Sequence, residues 1–184
     1  MIHRDRISAL FMIGALLVAS AAVAGEVTGN SGSDYAVVWL EGTLPKEIPA
    51  PLTVAQRGVR FTPDFAIVVV GQRVDFPNDD SVAHNVYSGS ATKQLNLGVY
   101  EKGESRSVTF DQAGWVELRC WLHKRMNADI VVVPNRFYAD ARAGTFRIAG
   151  VPPGSYRIVA LRRDGTRNTK KIAVPAAGSV AVEF

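Results

Sequence analysis

The sequence is poor in the residues that usually build redox or metal clusters. Cys120 is the only cysteine in 184 residues, so no intramolecular disulfide can form. Histidine and methionine occur three times each. That supply is too small for multinuclear copper centres or for type 2 copper chemistry, which want several imidazoles or a second thiolate. Excess charge is also scarce. The net charge of +4 is scattered along the chain, too weak and too dispersed for a nucleic-acid surface, though compatible with an acidic protein partner. No segment carries the 3.6-residue apolar period of a long amphipathic helix. After the first 24 residues, no apolar run approaches membrane-spanning length.

What is present falls into three textures. His3, Arg4 and Arg6 precede an apolar run from Ile7 to Ala24 that ends in Ala22-Val23-Ala24. A basic start, an apolar stretch and a small-x-small end predict a secretory leader over residues 1–24, cleaved before Gly25. The competing reading is a retained membrane anchor. The immediate switch to polar sequence favours cleavage, which leaves no membrane anchor and an expected location in the periplasm. Short strands separated by Gly/Pro turns follow: Tyr35–Leu40, Val59–Phe61, Ala66–Val70, Arg73–Phe76, Asn85–Tyr87, Ser105–Phe110, Trp115–Cys120 and Ala128–Val133. Residues 88–100 show no clear period and read as a loop with a helical turn. Beyond Pro134, further strands at Gly144–Ile148, Tyr156–Leu161, Lys170–Val174 and Ser179–Phe184 complete an all-β pattern.

Loss of the leader removes His3, Met1 and Met12. The remaining chain holds one cysteine, two histidines and one methionine. Cys120, His123 and Met126 stand in a C-x2-H-x2-M spacing at the end of a strand, and His84 lies at an upstream strand edge. Two imidazoles and a thiolate can hold copper in a trigonal plane, with a weak thioether above it. Such a site tolerates Cu(I) and Cu(II) in one geometry, so an electron moves with little rearrangement. Zinc is the competing ion; Cys and two His suit it, but thioether is a poor zinc ligand. An exported free thiol is otherwise unusual, and metal ligation protects it.

At these residues the chain resembles the cupredoxins, the plastocyanin-like blue-copper proteins. It is most similar to their amicyanin-type branch, through Cys120-Trp121-Leu122-His123-Lys124-Arg125-Met126 and the run Val74-Asp75-Phe76-Pro77-Asn78-Asp79-Asp80 into His84-Asn85-Val86. The resemblance implies a Greek-key sandwich over residues 52–134 and one type 1 copper ion on His84, Cys120, His123 and Met126. It implies one-electron transfer between redox proteins rather than catalysis. Asn85 would tie the two ligand loops together and donate near the cysteine. Members of the family commonly carry proline after the second histidine; here Lys124 and Arg125 put two cations beside the site. The flanks look like something else. Ala143–Ile158, with its Val151-Pro152-Pro153-Gly154 turn, resembles the carboxypeptidase regulatory-like β-sandwich module, and Val37–Glu41 resembles an early strand of it. Residues 25–50 and 135–184 are therefore expected to form a second module, discontinuous around the copper region. A copper-binding accessory or structural role without electron transfer is the alternative function.

Overall fold

The computed structural model describes residues 24–32 and 35–184. Apart from Ala24, the expected leader lies outside the described residues. The first strands are β1 (Gly25–Asn30), β2 (Ala36–Glu41), β3 (Leu52–Thr53), β4 (Ala55–Gln56), β5 (Phe61–Thr62), β6 (Phe65–Val69), β7 (Arg73–Pro77) and β8 (His84–Ser90). They continue with β9 (Lys93–Tyr100), β10 (Ser105–Thr109), β11 (Gly114–Arg119), β12 (Asn127–Val133), β13 (Tyr138–Ala141), β14 (Thr145–Val151), β15 (Gly154–Arg162), β16 (Arg167–Val174) and β17 (Ser179–Glu183). Among the described residues there is no α-helix.

Four sheets stack in layers. The order is β14-β1-β17, then β13-β2-β15-β16, then β6-β12-β11-β8-β9, then β10-β7-β3. The two-residue period of a strand sends alternate side chains into different layers. On β2, Ala36, Val38 and Leu40 enter one core with Phe137, Phe146 and Ile158. Val37 and Trp39 point the other way, onto Trp115, Val131, Val133, Val159 and Leu161. On β12, Ala128, Ile130 and Val132 instead join Phe61, Phe76, Val86 and Tyr100 in a third core. The continuous apolar runs are thus strands buried on both faces. β1 and β2 pair with strands that follow residue 137, so the chain leaves this half and later returns to it. Asn135 anchors the return: its side-chain amide donates to Leu40 O at 2.9 Å, and its oxygen accepts the Phe137 N–H at 2.9 Å.

Two segments differ from the sequence reading. Residues 88–100 are not a helical loop; β8 runs to Ser90 and β9 returns beside it. β9 is an edge strand of its sheet, with Leu95 and Leu97 half-buried against the core and Gln94 and Asn96 exposed. The pairing of the two strands shifts register between Asn85 and Tyr87. Val59 and Arg60 are not strand. Gly58 (φ 64°) and Val59 (φ 57°) both lie in the left-handed region, where a β-branched residue is strained. The Asp80 carboxylate accepts both of their N–H groups, at 2.5 and 2.8 Å, and holds the turn.

Tyr100 lies in the core that β7, β8, β11 and β12 share. Its hydroxyl donates to Phe76 O at 2.9 Å and accepts from the Gln56 amide. Burial pushes its pKa up to about 12. The neutral phenol is favoured in the fold, so this contribution is complete below the unfolded value of about 10 and is lost as pH rises toward 12. Urea titrations between pH 9 and 12 are expected to show wild type losing about 2–3 kcal/mol more than Tyr100→Phe. Parallel losses would contradict this.

Candidate metal centre

The site forms where the loop before β8 meets the loop between β11 and β12. Asn78, fully buried, shapes the first loop. Its oxygen accepts the Asp80 N–H at 3.0 Å, and its amide donates to Val82 O at 2.9 Å and to Tyr100 O at 3.1 Å. The loop ends at His84, the first residue of β8, with no exposed surface. His84 Nε2 lies 2.7 Å from Asp80 Oδ2. Burial would raise the Asp80 pKa, but the N–H groups of Val59 and Gly58 and the His84 ring outweigh it and hold the carboxyl below its usual range. An ionised carboxylate can only accept. Nε2 therefore donates to Asp80, and Nδ1 is the ring nitrogen of His84 turned toward His123.

The second loop is held by its own backbone. Cys120 N–H donates to Met126 O at 3.2 Å, and Met126 N–H donates to His123 O at 2.9 Å. The two imidazoles meet edge to face, with ring centroids 4.8 Å apart. Their Nδ1 atoms are 3.1 Å apart, and Cys120 Sγ lies 3.8 Å from His123 Nδ1. His84, Cys120 and His123 form a group whose ligand atoms all lie within 4.8 Å of one another. Two imidazoles and a thiol are donors that a copper or zinc ion accepts, and these three residues would hold it. Met126 is buried in the same core cluster as Cys120. Cys120 is nearly buried, whereas His123 is half-buried and stands between exposed Leu122 and exposed Lys124.

Asn85 joins the two loops. Its side-chain oxygen accepts the Trp121 N–H at 3.3 Å, while its amide donates to Asn96 Oδ1 and Gly98 O on β9. The N–H that reaches Cys120 Sγ, at 3.5 Å, is the Asn85 backbone amide rather than its side chain. Sequence reasoning did not single out Asp80. Its signal was the four-residue spacing to His84, common in any turn rich in aspartate. A carboxylate on the far nitrogen of a ligating imidazole fixes the ring and raises its basicity. Asp80→Ala is expected to weaken copper affinity by about 10–100-fold, measured by competition with a chelator. Unchanged affinity would remove Asp80 from the site.

No protein-family model matches the sequence, and no curated protein sequence matches it. Solved structures do match. A Cu-containing nitrite reductase from Thermus scotoductus SA-01 is 23% identical with a TM-score of 0.44, over 52% of this chain and 25% of that one. Amicyanin, as a reduced single-substitution variant, is 21% identical with a TM-score of 0.43, over 52% of this chain and 98% of that one. A purple cupredoxin from Nitrosopumilus maritimus is 22% identical with a TM-score of 0.39, over 46% of this chain and 100% of that one. The chain thus spans about a quarter of the nitrite reductase. Each of these matches covers about half of this chain.

Proposed function

We propose that the chain binds one type 1 copper ion through His84, Cys120, His123 and Met126 and passes single electrons between redox proteins in the periplasm. The observation that carries this is the gathering of two imidazole nitrogens and one thiol sulfur within 4.8 Å of one another, with His84 and Cys120 buried and His123 half-buried. Bound there, copper would supply a one-electron couple. The protein's part is to hold the donors in one arrangement for both oxidation states, so that neither transfer waits on reorganisation. Asp80 fixes one imidazole, and Asn85 fixes one loop against the other.

The reading extends to the chain around the site. His123 opens onto exposed Trp121 and Leu122, which gives a partner an apolar contact beside a ligand. Exposed Lys124 and Arg125 favour a partner with an acidic docking surface. Residues 25–50 and 135–184 make a carboxypeptidase regulatory-like module interrupted by residues 52–134. Their shared sheets support that division.

Titration of the metal-free protein with copper tests the central claim. Saturation at one equivalent, with an intense visible thiolate-to-Cu(II) band, is expected; another stoichiometry or no band would overturn it. For the partner, exchanging Lys124 and Arg125 for glutamine is expected to flatten the ionic-strength dependence of electron transfer to an acidic redox protein. An unchanged salt dependence would refute steering by these cations.

A further inference from the structure

β11 and β12 carry the ligand loop between them, and Glu117 and Asp129 face each other directly across that pair. Glu117 stands three residues before Cys120 and Asp129 three residues after Met126, about 10 Å along each strand from the nearest ligand. Like charges opposite one another push two strands apart. Asp129 is also nearly buried, with a side chain 11% exposed, and its Oδ1 has no hydrogen-bond partner. Left alone, this pair would loosen the base of the loop that presents three of the four donors.

The compensating charge comes from the other sandwich. Arg163 sits in the turn between β15 and β16. Its guanidinium reaches Asp129 Oδ2 at 2.9 Å and Glu117 Oε1 at 3.6 Å. The turn is stiff: Arg162 N–H donates to Thr166 O, Gly165 N–H to Arg162 O, and Thr166 N–H to Asp164 Oδ1. Behind it, Leu161 and Val159 pack on Trp115, Val131 and Val133. Arg119 also pairs with Glu117, at 2.8 Å, and it feels the charge of Asp129, but its ion pair is with Glu117 on its own strand.

We infer that Arg163 is a positioning residue for the metal loop, through which the second sandwich clamps the two strands that present Cys120, His123 and Met126. This rests on the copper reading for its purpose but not for its mechanics. The module is then more than an appendage. It supplies the guanidinium that reaches both carboxylates of the facing pair.

Amide hydrogen exchange of the metal-free full chain tests the clamp without copper. In Arg163→Gln, the Cys120 and Met126 amides are expected to exchange about tenfold faster, while amides of the β14-β1-β17 sheet keep their wild-type rates. Adding Asp129→Asn to Arg163→Gln removes the repulsion and is expected to return both amides to near wild-type exchange. In the copper-loaded protein, Arg163→Gln is expected to release copper to a Cu(I) chelator faster, and the double variant to recover. Wild-type exchange in Arg163→Gln, equal acceleration across all sheets, or no recovery in the double variant would each overturn the proposal. A wild-type protein that takes no copper but shows these exchange shifts would sink the copper reading and leave the clamp standing.

Discussion

Replacing Cys120 with serine is expected to abolish the visible band of the copper-loaded protein and to lower copper affinity far below that of wild type. Of the donors gathered here, only the thiolate is both soft and anionic, which makes it the source of charge transfer to Cu(II) and the strongest anchor for Cu(I). A serine hydroxyl is neutral at ordinary pH and cannot replace it. The fold should survive the change. Sγ makes two long contacts, accepting the Asn85 N–H at 3.5 Å and lying 3.8 Å from His123 Nδ1, and a hydroxyl oxygen can accept the first too. Burying that hydroxyl costs about 1–3 kcal/mol, a loss that circular dichroism and urea titration would register separately from the spectrum. A Cys120→Ser protein that kept the band would show that the sulfur is not a ligand. A protein that lost both band and fold would be replaced in the test by His123→Gln. His123 is half-buried in the loop, and its substitution removes a donor with less disturbance to the core.

The three side chains that the structure gathers were legible in the sequence because their residue types are rare in it. Cys120, and His84 and His123 once His3 is set aside, have no competitors elsewhere in the chain, so spacing alone nominated them. Asp80 was not legible for the opposite reason. Carboxylates in turns are common, and only the contact with His84 Nε2 separates this one from Asp79 beside it, which pairs with Arg57 at the surface. The all-β class followed from short alternating runs. At β9 half-buried Leu95 and Leu97 do alternate with exposed Gln94 and Asn96, a short period that reading 88–100 as a loop passed over. At Val59, apolar character suggested a strand, but hydrogen bonds to Asp80 outweighed it. The runs at 36–40 and 128–133 read as strands, and the structure buries both faces of each. They could not say that those faces would meet each other, because complementarity between Val37 and Trp39 on one strand and Val131 and Val133 on another is a property of packing, not of either run.

That meeting of faces carries the second large effect. Trp39→Ala is expected to destabilise the protein by about 3–5 kcal/mol, the usual cost of deleting a buried tryptophan. The ring has no exposed surface. It fills the layer between the two sandwiches, its Nε1 donates to Glu41 at 3.2 Å, and the Arg167 guanidinium lies 5.5 Å from its centroid. Glu41 in turn receives Arg157 and Arg167, so the cavity would also loosen an ion-pair cluster. The loss should change the shape of unfolding as well as its midpoint. In wild type the shared layer couples the two sandwiches, and urea unfolding is expected as one transition. Without Trp39 the coupling weakens, and two transitions are expected. Copper then identifies them, because a ligand stabilises only the part that binds it, by about 4 kcal/mol at a thousandfold excess over Kd. In wild type copper should move the whole transition; in Trp39→Ala it should move the copper-side half and leave the other in place. A variant that still unfolds in one step and shifts as a unit with copper would mean that the remaining contacts of Val37, Val159 and Leu161 with Trp115, Val131 and Val133 hold the layers together without the indole.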